Sequence, residues 1–296
     1  VKLRQFLGVV EARTKVVSIS TLSAGTIFAV RETGRFDLLV LAITLPAVLL
    51  VDMGTTAFNS FFDYWRGDDR GGRLREPDKV LVTEGVPALA AFLVASACYM
   101  AAACLGFVLA LRAGAWVIGW GAVCLAAGFF YNGGPRPISR TPLGELVAGT
   151  FLGTALFLIA YRLQAGSCGA RPLLASIPGA SFIASILAVN NACDIEGDFA
   201  AGRRTFAILL GLRRASALPA ALGAVSYAVM IGLAFSGTLP IRAAATGAAS
   251  ALVSLPIYAG MRKRGFSHET KGTSMKAVLG AFSLWSLGFI AGILPV

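Results

Sequence analysis

Apolar stretches near 20 residues recur along almost the whole of this 296-residue chain, and no other feature limits its fold so strongly. A run of that length crosses about 30 Å of hydrocarbon as a helix. Hydrocarbon offers the backbone no hydrogen-bond partner, so a spanning segment is either a helix or a strand of a closed barrel. Barrel strands alternate apolar and polar residues over about 10 positions, whereas these runs are longer and continuous. The expectation is an all-α polytopic membrane protein with nine transmembrane helices around a central cavity. The spans fall at roughly 16–30, 38–62, 86–111, 115–131, 143–161, 173–192, 215–235, 240–260 and 275–294. No low-complexity linker divides the chain, so residues 1–296 read as a single domain. Only 14% of residues are charged, against about 25% in soluble domains.

The net charge of +11 would suggest nucleic acid in a soluble protein. Here topology explains it, because basic residues hold loops on the cytoplasmic side. With the amino terminus cytoplasmic and the spans alternating, twenty Lys and Arg lie on that side and six on the other. The expected location is a bacterial plasma membrane, with no nucleic-acid partner. Residues 1–15 are mixed polar, and the run after them reads as a retained first span. The five cysteines lack the pattern of a disulfide framework, and a single histidine, His268, cannot build a histidine-rich metal site. No feature sets an oligomeric state.

Topology leaves the acidic residues unexplained, since carboxylates do little to orient spans. Nine of the fifteen lie between positions 63 and 84 or between 194 and 198. The stretches "NSFFDYWRGDD" (59–69) and "NNACDIEGD" (190–198) place them at the cytoplasmic ends of the second and sixth spans. Asn59 and Asp63 are four apart and share a helix face. With Asp52 and Thr56 they make one polar stripe. Asp52 then lies about 10 Å deeper than Asn59, where an ionisable residue is by default a functional candidate. Asp52 is therefore kept as a candidate for a role in the site. In the second motif Asn191, Asp194 and Asp198 are expected on one face of a helix, with Glu196 pointing elsewhere.

Hard oxygen ligands of this kind suit Mg²⁺, which binds one or two carboxylates plus substrate phosphates and keeps several waters. Two such clusters facing each other would hold ions bridging a diphosphate, neutralising charge on a leaving phosphate. Lys15, Arg66, Arg70, Arg203 and Arg204 are the candidate diphosphate-binding cations, since the arginine fork matches phosphate oxygens. A site at a lipid boundary suits a substrate with a diphosphate head and a long apolar tail, which describes a polyprenyl diphosphate.

"NSFFDYWRGDD" and "NNACDIEGDFAAGRRT" resemble the two aspartate-rich motifs of the UbiA superfamily of intramembrane aromatic prenyltransferases. "YNGGPRPISRTPLGEL" (131–146) and "NNACDIEGDFAAGRRTFAILLG" (190–211) are most similar to its 1,4-dihydroxy-2-naphthoate prenyltransferases of menaquinone synthesis. The resemblance implies Mg²⁺-assisted ionisation of the prenyl diphosphate to an allylic cation, attack by an electron-rich ring carbon, and loss of the ring carboxylate as CO₂. By position it implies metal ligands at Asn59, Asp63 and Asp69 and at Asn191, Asp194 and Asp198. It also implies a basic pair at Arg203 and Arg204 and a cavity-facing Tyr131, so that Asp52, Asp63, Asp194 and Tyr131 are the catalytic candidates. Ser60 and Cys193 depart from the pattern, standing where members often carry Asp and Arg. Other acceptors, hydroxybenzoate-like or a non-aromatic alcohol, stay open.

Three other classes fit less well. A secondary transporter places its polar groups at mid-membrane on broken helices, whereas these carboxylates lie mostly at one edge. A soluble prenyl synthase lacks this hydropathy. A CDP-alcohol phosphatidyltransferase needs a denser set of aspartates in one segment.

Overall fold

A computed structural model describes residues 2–67 and 80–295. Among the described residues there is no strand, and helices account for each expected apolar run. They are α1 (Val16–Thr33), α2 (Leu38–Arg66), α3 (Ala88–Ala113), α4 (Trp116–Asn132) and α5 (Gly144–Ala165). They continue with α6 (Ala170–Cys193), α7 (Leu218–Phe235), α8 (Arg242–Arg264) and α9 (His268–Ile293). Among the described residues seven helical stretches are long and apolar enough to cross a membrane, so the expected count of nine is not met by length and hydropathy alone. The two left out are α4, which is apolar but has 17 residues, and α1, diluted by Ser18, Ser20, Thr21, Ser23 and Thr26. Short helices at Leu3–Val9, Val80–Thr83 and Ile195–Ala200 join or flank the long ones.

Contacts group the chain into two compact units, Val1–Ser18 with Leu38–Arg140 and Ile19–Asp37 with Thr141–Val296. In the first, α2 packs along α3, and α4 packs on both. Phe58 fixes the second half of α2. Its ring meets Tyr99, Phe129 and Phe92 edge-on, with centroids 5.1, 5.2 and 5.8 Å away. Each such pair contributes about 1 kcal/mol beyond its buried area, and the next residue along the helix is Asn59.

In the second unit α6 is central, touching α5, α7 and α9. Phe182 on α6 is fully buried among Tyr227, Tyr258, Phe282 and Trp285. The α5–α6 contact depends on glycine. A Cβ at Gly149 would stand 2.6 Å from the Ala180 carbonyl oxygen, and one at Gly153 would stand 2.4 Å from Ala180 Cα. Small residues four apart let membrane helices approach this closely. Residues Gly149–Ala155 are wound as a π-helix, a local widening that often accompanies functional sites. The same pair of helices brings Glu145, at the start of α5, to Asn191, near the end of α6.

Candidate active site

The first motif is helical through Arg66, where α2 ends. Asp63 Oδ1 accepts a hydrogen bond of 2.8 Å from Asn132 Nδ2, and the same amide nitrogen reaches the Asn59 carbonyl at 3.4 Å. Asn132 closes α4, is 4% exposed, and is held in turn by the Ser139 hydroxyl, which donates to its Oδ1. A buried amide thus sets the rotamer of Asp63. The Asn59 side-chain oxygen is buried and has no hydrogen-bond partner among the described residues. Arg66 donates to the Gly134 carbonyl at 3.1 Å and lies 5.2 Å over the Phe62 ring. Tyr131 is half-buried, one residue before Asn132. Asp69 and Arg70 lie outside the described residues.

Deeper on α2 the expected stripe takes a different set of partners. Lys15 Nζ sits 2.5 Å from Asp52 Oδ1, 2.7 Å from Thr56 Oγ1 and 3.3 Å from the Asp52 carbonyl. Ser18 Oγ donates to Asp52 Oδ2 at 2.5 Å. An ammonium has three protons to donate, and three acceptors surround this one. Lys15, expected to bind diphosphate, is therefore engaged by Asp52 and Thr56 and is 6% exposed. Both Asp52 oxygens are likewise engaged, so in this arrangement its charge is held rather than offered as a base.

The second motif is a break in the chain, not one helix face as expected. α6 ends at Cys193; Asp194, at φ −105° and ψ 8°, is its last cap and the first of the short helix Ile195–Ala200. Asn191 therefore lies on one helix and Asp198 on another. The Asp194 carbonyl accepts from the Asp198 amide at 2.8 Å, and Glu196 is exposed. Asn191 Nδ2 donates to Glu145 Oε1 at 2.9 Å, which turns its amide oxygen the other way. Glu145 is 6% exposed, and its second oxygen is buried without a partner. Asp194 is gripped by Lys271, with Nζ 2.6 Å from Oδ2, and His268 Nδ1 is 4.0 Å from Oδ1. Asp198 is buried, with Arg203 Nη1 3.3 Å from its Oδ1, while Arg204 is exposed.

Sequence reasoning passed over Asn132, Glu145, Lys271 and His268. Lys271 counted only toward topology because the ninth span was expected to begin at 275. A capping box, with Ser267 accepting from Thr270, starts α9 seven residues earlier and carries His268 and Lys271 into its first turns. Two carboxylates at span entries, Glu145 and Glu269, lay outside the acidic clusters, so clustering could not single out Glu145.

The donors fit Mg²⁺. The Asn59 oxygen is buried and unpartnered, Asp63 lies one turn on, and the Asn191 oxygen is turned away from Glu145. Among the described residues no three His, Cys, Asp or Glu side chains gather into a metal cage.

Fold and motifs together define an integral helical membrane protein that carries oxygen donors and cations at the ends of its helices. The UbiA prenyltransferase family model matches residues 18–289, and the chain belongs to that family of prenyl-group transferases. It is 34% identical over 224 residues to the 1,4-dihydroxy-2-naphthoate octaprenyltransferase of Bacillus subtilis, covering 76% of this chain and 71% of that one. It is 32% identical to UbiA prenyltransferase domain-containing protein 1 of Xenopus tropicalis over 66% of this chain; the match spans 56% of the frog protein's length. The fold is similar to that of a UbiA homolog from Archaeoglobus fulgidus solved bound to GPP and Mg²⁺. The TM-score is 0.70 at 14% identity, covering 98% of this chain and 99% of that one.

Proposed function

We propose that this chain transfers a polyprenyl group from polyprenyl diphosphate to 1,4-dihydroxy-2-naphthoate, with loss of CO₂, in menaquinone biosynthesis. The observation that carries the reading is the 34% identity to the Bacillus subtilis protein named for that acceptor. The paired Asn/Asp motifs support the diphosphate half of the reaction. The proposed setting is the bacterial plasma membrane, with the amino terminus and both motifs on the cytoplasmic side.

Mg²⁺ would be held by Asn59, Asp63 and Asp69 and by Asn191, Asp194 and Asp198, and when bound it neutralises charge developing on the leaving diphosphate. Asn132 and Glu145 act one step back, fixing the rotamers of Asp63 and Asn191. Arg66, Arg70, Arg203 and Arg204 bind diphosphate oxygens. The carbon–oxygen bond of the prenyl diphosphate breaks with its electron pair going to the diphosphate. The allylic cation left behind is shielded by the Tyr131 ring, while Asp52 acts as a pair with Lys15, holding it and Ser18 in place rather than facing the cation as a free charge. A ring carbon of the acceptor then forms the new bond, and the acceptor carboxylate leaves as CO₂.

The test is to incubate membranes carrying the protein with Mg²⁺, a labelled prenyl diphosphate, and dihydroxynaphthoate, 4-hydroxybenzoate or a simple alcohol. The expected product is the prenylated naphthalenediol, lighter than the simple adduct by one CO₂. Label appearing only in the hydroxybenzoate or alcohol product overturns the acceptor assignment. No Mg²⁺-dependent prenyl transfer to any acceptor overturns the reaction.

A further inference from the structure

Asp63 and Asp194 are the equivalent aspartates of the two motifs, and different side chains orient them. Asp63 receives a neutral amide, Asn132. Asp194 receives the ammonium of Lys271 at 2.6 Å, with the two side chains 13% and 18% exposed. A divalent ion on an Asp194 oxygen, at about 2.1 Å as Mg²⁺ requires, would stand roughly 4 Å from that ammonium and repel it. The backbone bearing Lys271 does not give way easily. Ser267 N–H donates to Thr270 Oγ1 at 3.0 Å, Thr270 Oγ1 donates to the Gly265 carbonyl at 2.9 Å, and the first turn of α9 is closed by its capping box. The lysine side chain does, through four flexible carbons.

We propose that Lys271 is a built-in counter-ion for the second motif. It holds Asp194 until a diphosphate offers its ammonium better oxygens, so that divalent cation and diphosphate enter that motif together. This rests on the metal and diphosphate reading above. The arrangement couples two ligands through one side chain. It gives the second motif a metal affinity that depends on diphosphate.

The test uses the full chain in detergent or nanodiscs, with Mn²⁺ binding followed by electron paramagnetic resonance. Titrations run with and without inorganic pyrophosphate, against a protein-free control for the soluble complex. In the unaltered protein, pyrophosphate is expected to tighten the Mn²⁺ site that Asp194→Asn removes by about tenfold or more, within the usual range of ligand coupling. Lys271→Gln is expected to bind Mn²⁺ alone nearly as tightly as the unaltered protein does with pyrophosphate. Lys271→Arg should keep the coupling. Equal Mn²⁺ affinity in Lys271→Gln and the unaltered protein, both without pyrophosphate, overturns the inference. Should Lys271→Gln not fold, the unaltered protein decides, since indifference to pyrophosphate overturns the inference too. Failure of the unaltered protein to bind Mn²⁺ at all, pyrophosphate included, instead removes the metal reading on which the inference rests.

Discussion

The two acidic motifs have nearly the same composition, and different side chains orient them. At the first, a buried asparagine held by a serine orients Asp63, and an unpartnered amide oxygen stands one turn away on Asn59. At the second, Lys271 and His268 attend Asp194, Arg203 attends Asp198, and a buried glutamate orients Asn191. Among the described residues the side chains that orient the first motif are an amide and a hydroxyl, with Arg66 closing the same helix. The second is already balanced by cations that can turn to an incoming anion. Similar sequence motifs are therefore set among different neighbours, and the counter-ion proposed above belongs to the second.

The largest expected effects come from removing either carboxylate. Asp63→Asn and Asp194→Asn should each lower turnover by roughly 10²-fold or more, the scale of losing a key electrostatic stabiliser, measured as product formed at saturating Mg²⁺. If one variant kept near-normal turnover, the comparison would reduce to a single working motif. Next is the buried pair below the first motif. Lys15→Met leaves Asp52 without its counter-ion and should destabilise the protein by about 3 kcal/mol, read as a lowered thermal midpoint. Asp52→Asn should impair turnover while leaving diphosphate binding largely intact; a loss confined to diphosphate affinity contradicts that.

The orienting residues sharpen the contrast with smaller effects. Asn132→Ala and Glu145→Gln should each weaken half-saturation by Mg²⁺ by about tenfold, the lower end for groups that orient metal ligands. In Glu145→Gln the new amide can donate to Asn191, reversing the orientation that the carboxylate imposes. The smallest change is Arg204→Gln. This residue is exposed, so its variant should fall behind Arg203→Gln in its effect on KM for the prenyl diphosphate. The reverse order would mean that the exposed fork, not the one paired with Asp198, meets the diphosphate.

Apart from the start of α9, the apolar helices were readable to within a few residues, because length and apolarity are properties of a segment by itself. The motif residues were readable for the same reason: carboxylates at a membrane boundary are costly and conspicuous. Two things were not. The continuous helix expected through Asp198 breaks at Asp194, where the chain turns into a second short helix, and no proline or glycine at that residue announces the break. The partners of the motifs were also hidden. Asn132, Glu145 and Lys271 lie 69, 46 and 77 residues from the side chains they hold. What selects them is packing, such as the glycine contact of α5 on α6, and pairings between distant positions leave no local periodicity.

The central claim is that both acidic motifs drive departure of diphosphate from a prenyl lipid with a divalent cation. Its most direct test is the rate of Mg²⁺-dependent diphosphate release from a labelled prenyl diphosphate, with dihydroxynaphthoate present, by the unaltered protein, Asp63→Asn and Asp194→Asn. Release that requires Mg²⁺ and falls by roughly 10²-fold or more in both variants is the predicted result. Release that survives chelation of the metal, or proceeds unchanged in either variant, contradicts the account.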